Sequence, residues 1–232
     1  MYTCHVSTFA VENVLVFLIR GFRKWIMTMI MVLVLTSCRI FVTSVISVTD
    51  LWDPEIRTIP VNISADVDKC NKKLLNQVVA DFQNFQTIQV VGCFYDNNQA
   101  LRPYWKTTIP LLRKGDEGKI PYLSASIYYS QNNSIIATFN PSFFEKLRRY
   151  TTARNVELTM DITISFQIIN NTKTPIRIAT QGVFVNGSAV GNEMNIYEIR
   201  PGGKVWIRLS DVGVDSLMIE GIEPVGVLPA RH

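Results

Sequence analysis

Residues 156–168, VELTMDITISFQI, decide the fold. Val156, Leu158, Met160, Ile162, Ile164, Phe166 and Ile168 alternate with Glu157, Thr159, Asp161, Thr163, Ser165 and Gln167. Successive side chains of a strand point to opposite faces. The pattern therefore predicts one long strand with an apolar face on a core and a polar face toward water. Downstream the same theme recurs in shorter pieces. Asn170-Asn171-Thr172-Lys173 reads as a turn. Strands are predicted at 176–180, 183–186, 195–199, 204–209 and 215–222, divided by Asn186-Gly187 and Pro201-Gly202-Gly203. Turn signals at that spacing predict an antiparallel β-sandwich over residues 155–232.

Upstream, residues 57–154 mix two periods. Ile59, Val61, Ile63, Ala65 and Val67 alternate with polar neighbours that include Asp66 and Asp68, which predicts a half-buried strand. After Cys70, the positions Leu75, Val78, Val79, Phe82 and Phe85 share one helical face. Residues 87–95 read as a strand closed by Asp96-Asn97-Asn98. Residues 104–112 read as a strand that Pro110 assigns to an edge or a bulge. Residues 120–139 form a predicted hairpin around Gln131-Asn132-Asn133. The segment 140–155, NPSFFEKLRRYTTARN, predicts a second helix, capped by Asn140 ahead of Pro141 or by Ser142 with Glu145. The expected fold class is α+β, mostly β: an N-terminal α+β part with two helices, followed by the sandwich. The block from Ile169 to Ser210, with its Asn-rich, Asn-Gly and Pro-Gly-Gly turns, resembles Ig-like sandwich modules of bacterial lipoproteins.

The N-terminus has a different character. Arg20, Arg23 and Lys24 precede the apolar run IMTMIMVLVLTSC, residues 26–38. A basic flank, a short apolar core and small residues at its end are the parts of a secretory signal. The apolar core is shorter than the roughly 20 residues a bilayer-spanning helix needs. Residues 1–37 therefore read as a signal peptide. Its first 17 residues are in excess, because Val11–Ile19 is a second apolar stretch, and they point to a start near Val16 or Leu18. A retained signal anchor or an N-terminal transmembrane hairpin is the other reading. Leu35-Thr36-Ser37-Cys38 resembles the lipobox of bacterial lipoproteins. Together with VTDLWDPEIRTI, residues 48–59, it makes the chain similar to uncharacterised lipoproteins of enterobacterial and prophage genomes. The resemblance implies cleavage before Cys38, acylation of its thiol and membrane lipid as a partner. It also implies that residues 38–56 form a lipidated tether, and that the body sits at the periplasmic face of the envelope. Arg39, rather than Asp, after the cysteine implies the outer membrane.

Cysteine usage agrees with export. Beyond Cys4 in the leader and Cys38 at the lipid site, only Cys70 and Cys93 remain. A helix over 71–86 rises about 24 Å, and a strand over 87–93 returns about 23 Å. Packed antiparallel, the two elements bring the cysteines side by side as a disulfide, a bond that persists in exported proteins. Two separate buried thiols are the alternative.

Chemistry is sparse. The two histidines are His5, in the leader, and His232. The predicted body thus offers none for a Ser-His-Asp triad or a histidine zinc site. No GxxxxGK[ST] or GxGxxG loop is present to cradle phosphates. The formal charge of +4 falls to +2 without the leader, so no nucleic-acid-binding surface is expected. No catalytic residue, metal or cofactor is expected. Tyr128 and Tyr129 are adjacent, so one must face away from the core of a strand. With Trp105 they are the candidate partner contacts. The chain reads as a non-enzymatic binding or interaction module for an unidentified envelope protein, in a phage- or plasmid-related setting. A cell-wall glycan hydrolase using carboxylates such as Asp66, Asp68, Glu220 or Glu223 is one alternative. A structural envelope or secretion-system subunit is the other.

Overall fold

A computed structural model describes residues 39–66, 70–82, 88–95, 101–116, 118–119, 125–142 and 161–228. The first elements are β1 (Arg39–Ser47), α1 (Val48–Trp52), β2 (Thr58–Ala65), α2 (Lys72–Phe82), β3 (Gln89–Tyr95) and β4 (Leu101–Leu112). The hairpin β5 (Ala125–Tyr129) and β6 (Ser134–Phe139) follows, then β7 (Asp161–Ile169), β8 (Ile176–Thr180), β9 (Val183–Val185) and β10 (Ser188–Ala189). The chain continues with β11 (Asn195–Ile199), β12 (Lys204–Leu209), α3 (Asp211–Glu220) and β13 (Ile222–Val227).

β7 realises the alternation of the deciding stretch within the described residues, with Ile164, Phe166 and Ile168 buried. Its neighbours are β1, parallel, and β12, antiparallel. From there one sheet runs β10-β9-β12-β7-β1-β2-β4-β5-β6-β13-β8-β11, with β3 added beside β4. The sheet curls so that its two halves face each other across a single core. Ile46, Phe166, Ile168 and Ile207 come from one half; Ile127, Ile135 and Ile178 come from the other. Each such buried side chain stabilises by roughly 1.5–3 kcal/mol.

Continuous chain makes both corners, as strands that switch layers do in other curled sheets. At one corner β4 pairs with β2 up to Pro110↔Thr58, then hands over to β5 at Leu111↔Ile127. At the other, the ribbon β8–β9 against β10–β11 bends at Gly182. There Gly182 N–H donates to Gly191 O at 3.0 Å and Val190 N–H to Val183 O at 2.7 Å.

The expected succession of an α+β part and a separate antiparallel sandwich is corrected. β1 pairs along its length with β7, 122 residues away at Arg39↔Asp161, and β6 pairs with β13. Strands from both parts therefore share one sheet, and two of its pairings, β1/β7 and β4/β5, are parallel. The expected tether is corrected as well: Arg39–Ser47 lies inside the sheet between β2 and β7. Residues 215–222, expected as a strand, mostly belong to α3. Ser210 Oγ accepts the Gly213 N–H at 3.1 Å, and Gly221 closes the helix at φ 83° with its N–H on Leu217 O at 3.1 Å. A Cβ at Gly221 would meet Phe139 O at 2.7 Å, so the cap needs glycine twice over.

Pro110 lies within the sheet rather than at its edge. Leu111 N–H donates to Arg57 O, on the β2 side, so the nitrogen of residue 110 faces the opposite side. On that side the β3 ladder has ended at Lys106 and the β5 ladder begins at Leu111. The missing donor falls in the gap between two partners, where a proline costs the ladder nothing. The helix expected over 140–155 lies outside the described residues beyond Ser142, as do residues 156–160 of the long strand.

Candidate interaction surface

The helix–strand arm α2–β3 branches from the curled sheet, attached to it through the β3–β4 ladder. Cys70 and Cys93 are joined in a disulfide with their Cα atoms 5.9 Å apart, as the rise-and-return geometry requires. Leu75 is the buried foot of the helix, and the indole N–H of Trp105 in β4 reaches its carbonyl at 3.4 Å. β3 pairs with β4 from Gln89↔Lys106 to Tyr95↔Leu101, with a bulge between Val90 and Gly92. Gly92 sits at φ 145°, and a Cβ there would press on the Phe94 ring at 3.2 Å.

β3 is unusual in what it exposes. Val90, Val91, Phe94 and Tyr95 are all exposed, Tyr95 to 73 % and Phe94 to 48 %, and QVVGCFY carries no charge. Strands with a free edge are normally blunted by lysine, proline or inward charges. Phe94 packs edge-to-face on Tyr104, with centroids 5.6 Å apart.

The start of β1 lies in register with this arm. Ile40 pairs with Ala65, Ser64 with Tyr104, and Arg102 with Phe94, so Arg39, Asp66, Arg102 and Phe94 occupy one row across four strands. Charges in that row are matched. Arg39 Nε is 2.7 Å from Asp161 Oδ2, and Arg102 Nε is 2.6 Å from Asp66 Oδ1. Asp66 N–H donates to Arg39 O at 2.8 Å, and the Arg102 guanidinium lies 4.2 Å over the Phe41 ring.

Of the sequence-derived contacts, Trp105 is 4 % exposed and Tyr129 9 %, so both are corrected to core positions. The Tyr129 hydroxyl donates to Asn133 Oδ1 at 3.0 Å, and burial pushes its pKa up against the opposing influence of Trp52 and Arg113. Tyr128 is half-buried on the other face of β5. Arg113 beside Tyr129 serves the backbone. Its Nη2 donates to Asp50 O at 2.8 Å and Asp53 O at 2.6 Å, and its Nη1 to Ile56 O at 2.7 Å. These include carbonyls that the end of α1 leaves without helical partners. Burial lowers the Arg113 pKa, its neighbour Arg57 adds to that, and Asp53 and Asp116 oppose it.

The candidate carboxylates are separated. Asp66 is held by Arg102, and Asp68 lies outside the described residues, as does Cys38. Glu223 is half-buried against α3, with Oε1 3.0 Å from where a Gly213 Cβ would stand. Glu220 is exposed. Burial raises the Glu223 pKa, Glu220 raises it further and a hydrogen bond from Ser216 opposes. Among the described residues no group of three His, Cys, Asp or Glu gathers to hold a metal. None of the described helices is long and apolar enough to cross a membrane. Phe94, Tyr95 and Arg102 were not legible as a surface from sequence. The available signal was the charge-free run 86–95, QTIQVVGCFY, ending beside a cysteine.

A curled, continuous β-sheet with a disulfide-clamped helix–strand arm defines the class: a β-rich protein. The chain belongs to the family described as a domain of unknown function (DUF7424), which it matches over residues 41–232. No curated protein and no solved structure matches it.

Proposed function

We propose that the protein is a membrane-anchored, extracytoplasmic binding module of a bacterial envelope, held by lipid at Cys38. The observation that carries this reading is the apolar run ending in Leu35-Thr36-Ser37-Cys38, directly before Arg39, the first residue of β1. The Cys70–Cys93 disulfide supports it, since such bonds persist outside the reducing cytoplasm. A diacylated cysteine anchors stably where a single chain binds marginally. An arm presenting Phe94 and Tyr95 beside charges already neutralised in pairs supports recognition by contact rather than by chemistry.

Metabolic labelling with palmitate tests the anchor. The wild-type chain is expected to incorporate label and to be shortened to residues 38–232. Cys38→Ala is expected to lose the label and accumulate as precursor. Label that persists in Cys38→Ala refutes lipidation at this residue.

A further inference from the structure

We propose that the protein lies with the Arg39 end of its sheet against the bilayer, and that Phe94 and Tyr95 at the end of β3 enter the headgroup region as a second, non-covalent contact. This rests on the membrane attachment at Cys38 and adds an orientation and a lipid-contacting surface to it.

The body has no slack. One peptide link, about 3.8 Å between Cα atoms, separates Cys38 from Arg39, and Arg39 is already paired in the sheet with Asp161. Whatever holds Cys38 at the membrane therefore brings the row Arg39–Asp66–Arg102–Phe94 to the membrane surface. Three strand spacings span that row, placing Phe94 about 14 Å from Arg39. β3 runs antiparallel to β4 and so ends at this side, which puts Tyr95 one residue beyond the row. Sheet twist fans the strands, so β3 meets the surface obliquely.

The chemistry of this end suits a lipid interface. Asp66 and Asp161 are each paired with an arginine, which removes the repulsion that free carboxylates would meet at anionic headgroups. Tyrosine, with an apolar ring and a polar tip, is enriched at the membrane–water boundary, and Tyr95 is 73 % exposed. The opposite end of the sheet lies well away from this row: β7 carries the chain about 26 Å from Asp161 to Ile169, and Lys173 lies just past that end, exposed.

The test uses the full chain, exported and purified from membranes, then reconstituted into phosphatidylethanolamine–phosphatidylglycerol vesicles. A photoreactive benzoylphenylalanine replaces Tyr95 in one sample and Lys173 in another, both at exposed positions, and palmitate incorporation is read on each. Phospholipid adducts at position 95 are expected in at least tenfold excess over position 173. A sample that carries palmitate but shows equal adduct yields at the two positions overturns the orientation and leaves the anchor standing. So do adducts at 95 to a second copy or to another protein in place of lipid. A sample with no palmitate and no membrane association removes the anchor, and the orientation with it. Phe94→Ser with Tyr95→Ser supplies the second measurement. It is expected to keep the disulfide and the palmitate, and to raise lipid-independent tumbling of the body, seen as at least a twofold faster anisotropy decay. An unchanged decay counts against the contact.

Discussion

Asn170 and Glu223 show how differently single residues can be read from sequence. Asn170, in an Asn-Asn-Thr-Lys turn, is legible as a turn residue, but not as the buried bracket it forms. Its Nδ2 donates to Thr174 O at 2.9 Å and Ile199 O at 2.7 Å, while its Oδ1 accepts from Thr172 N–H and Oγ1. Only the fold brings Ile199 to it. Asn133 and Asn186 are the simpler case: both hold the left-handed φ that turn chemistry assigns them, at 60° and 50°. Glu223 has a charge whose burial sequence could not reveal. Its folded pKa lies above its ordinary value, chiefly because of burial, so the native state binds its proton more tightly than the unfolded state does. Stability is then lost as pH rises from the ordinary glutamate range through the raised folded value. Glu223→Gln removes that loss while keeping the shape and a partner for Ser216. Its melting temperature is expected to exceed that of the wild type at pH 7, with the gap closing as pH falls below the ordinary carboxylate range. A gap that widens in acid would contradict the assignment.

Elements were legible where one local signal sufficed. The alternation of β2, the hairpin β5–β6, the helix α2 and the strands β8, β9, β11 and β12 follow from period and turn chemistry within each segment. α3 differs from the strand expected over 215–222 because Leu217, Met218 and Ile219 have strand-like composition. Its ends decide the matter, through Ser210 and Gly221, which carried the usual helix start and stop signals. β1 was misread for another reason. Phe41, Thr43 and Val45 lie on one face and Val42, Ser44 and Ile46 on the other, so there is no contrast between faces for periodicity to report. The arm α2–β3 yields a prediction at this scale. Among the described residues β3 is held by its ladder to β4 and by the disulfide that closes a 23-residue separation. Removing such a cross-link costs about 3 kcal/mol by the loop-entropy argument. In the chain with Cys70→Ser and Cys93→Ser, amide exchange should accelerate across Gln89–Tyr95 and Lys72–Phe82 while the β1–β7 ladder keeps its protection. Acceleration spread evenly over both would show that the arm is not a separate unit.

At the scale of the whole molecule the decisive fact is that the first described strand, β1, pairs within the structure made by the C-terminal half. Such a pairing is invisible to any window of sequence, because β1 and β7 are parallel neighbours 122 residues apart at Arg39↔Asp161. Its energetic weight can be bounded. Ile46, Val48 and Leu51 are fully buried, and at roughly 1.5–3 kcal/mol each they contribute on the order of 5–9 kcal/mol. That is comparable with the roughly 5–15 kcal/mol by which a whole domain is stable. Removing them also leaves β2 and β7 with unpaired backbone facing each other, and strips Arg113 of the carbonyls of Asp50, Asp53 and Ile56. A chain beginning at Thr58 is therefore expected to lose its cooperative thermal transition and its near-ultraviolet circular dichroism. A chain beginning at Arg39 is expected to keep both. If residues 39–56 were only part of a tether, as the sequence alone suggests, the two chains would melt alike; a shared transition temperature would return them to that role.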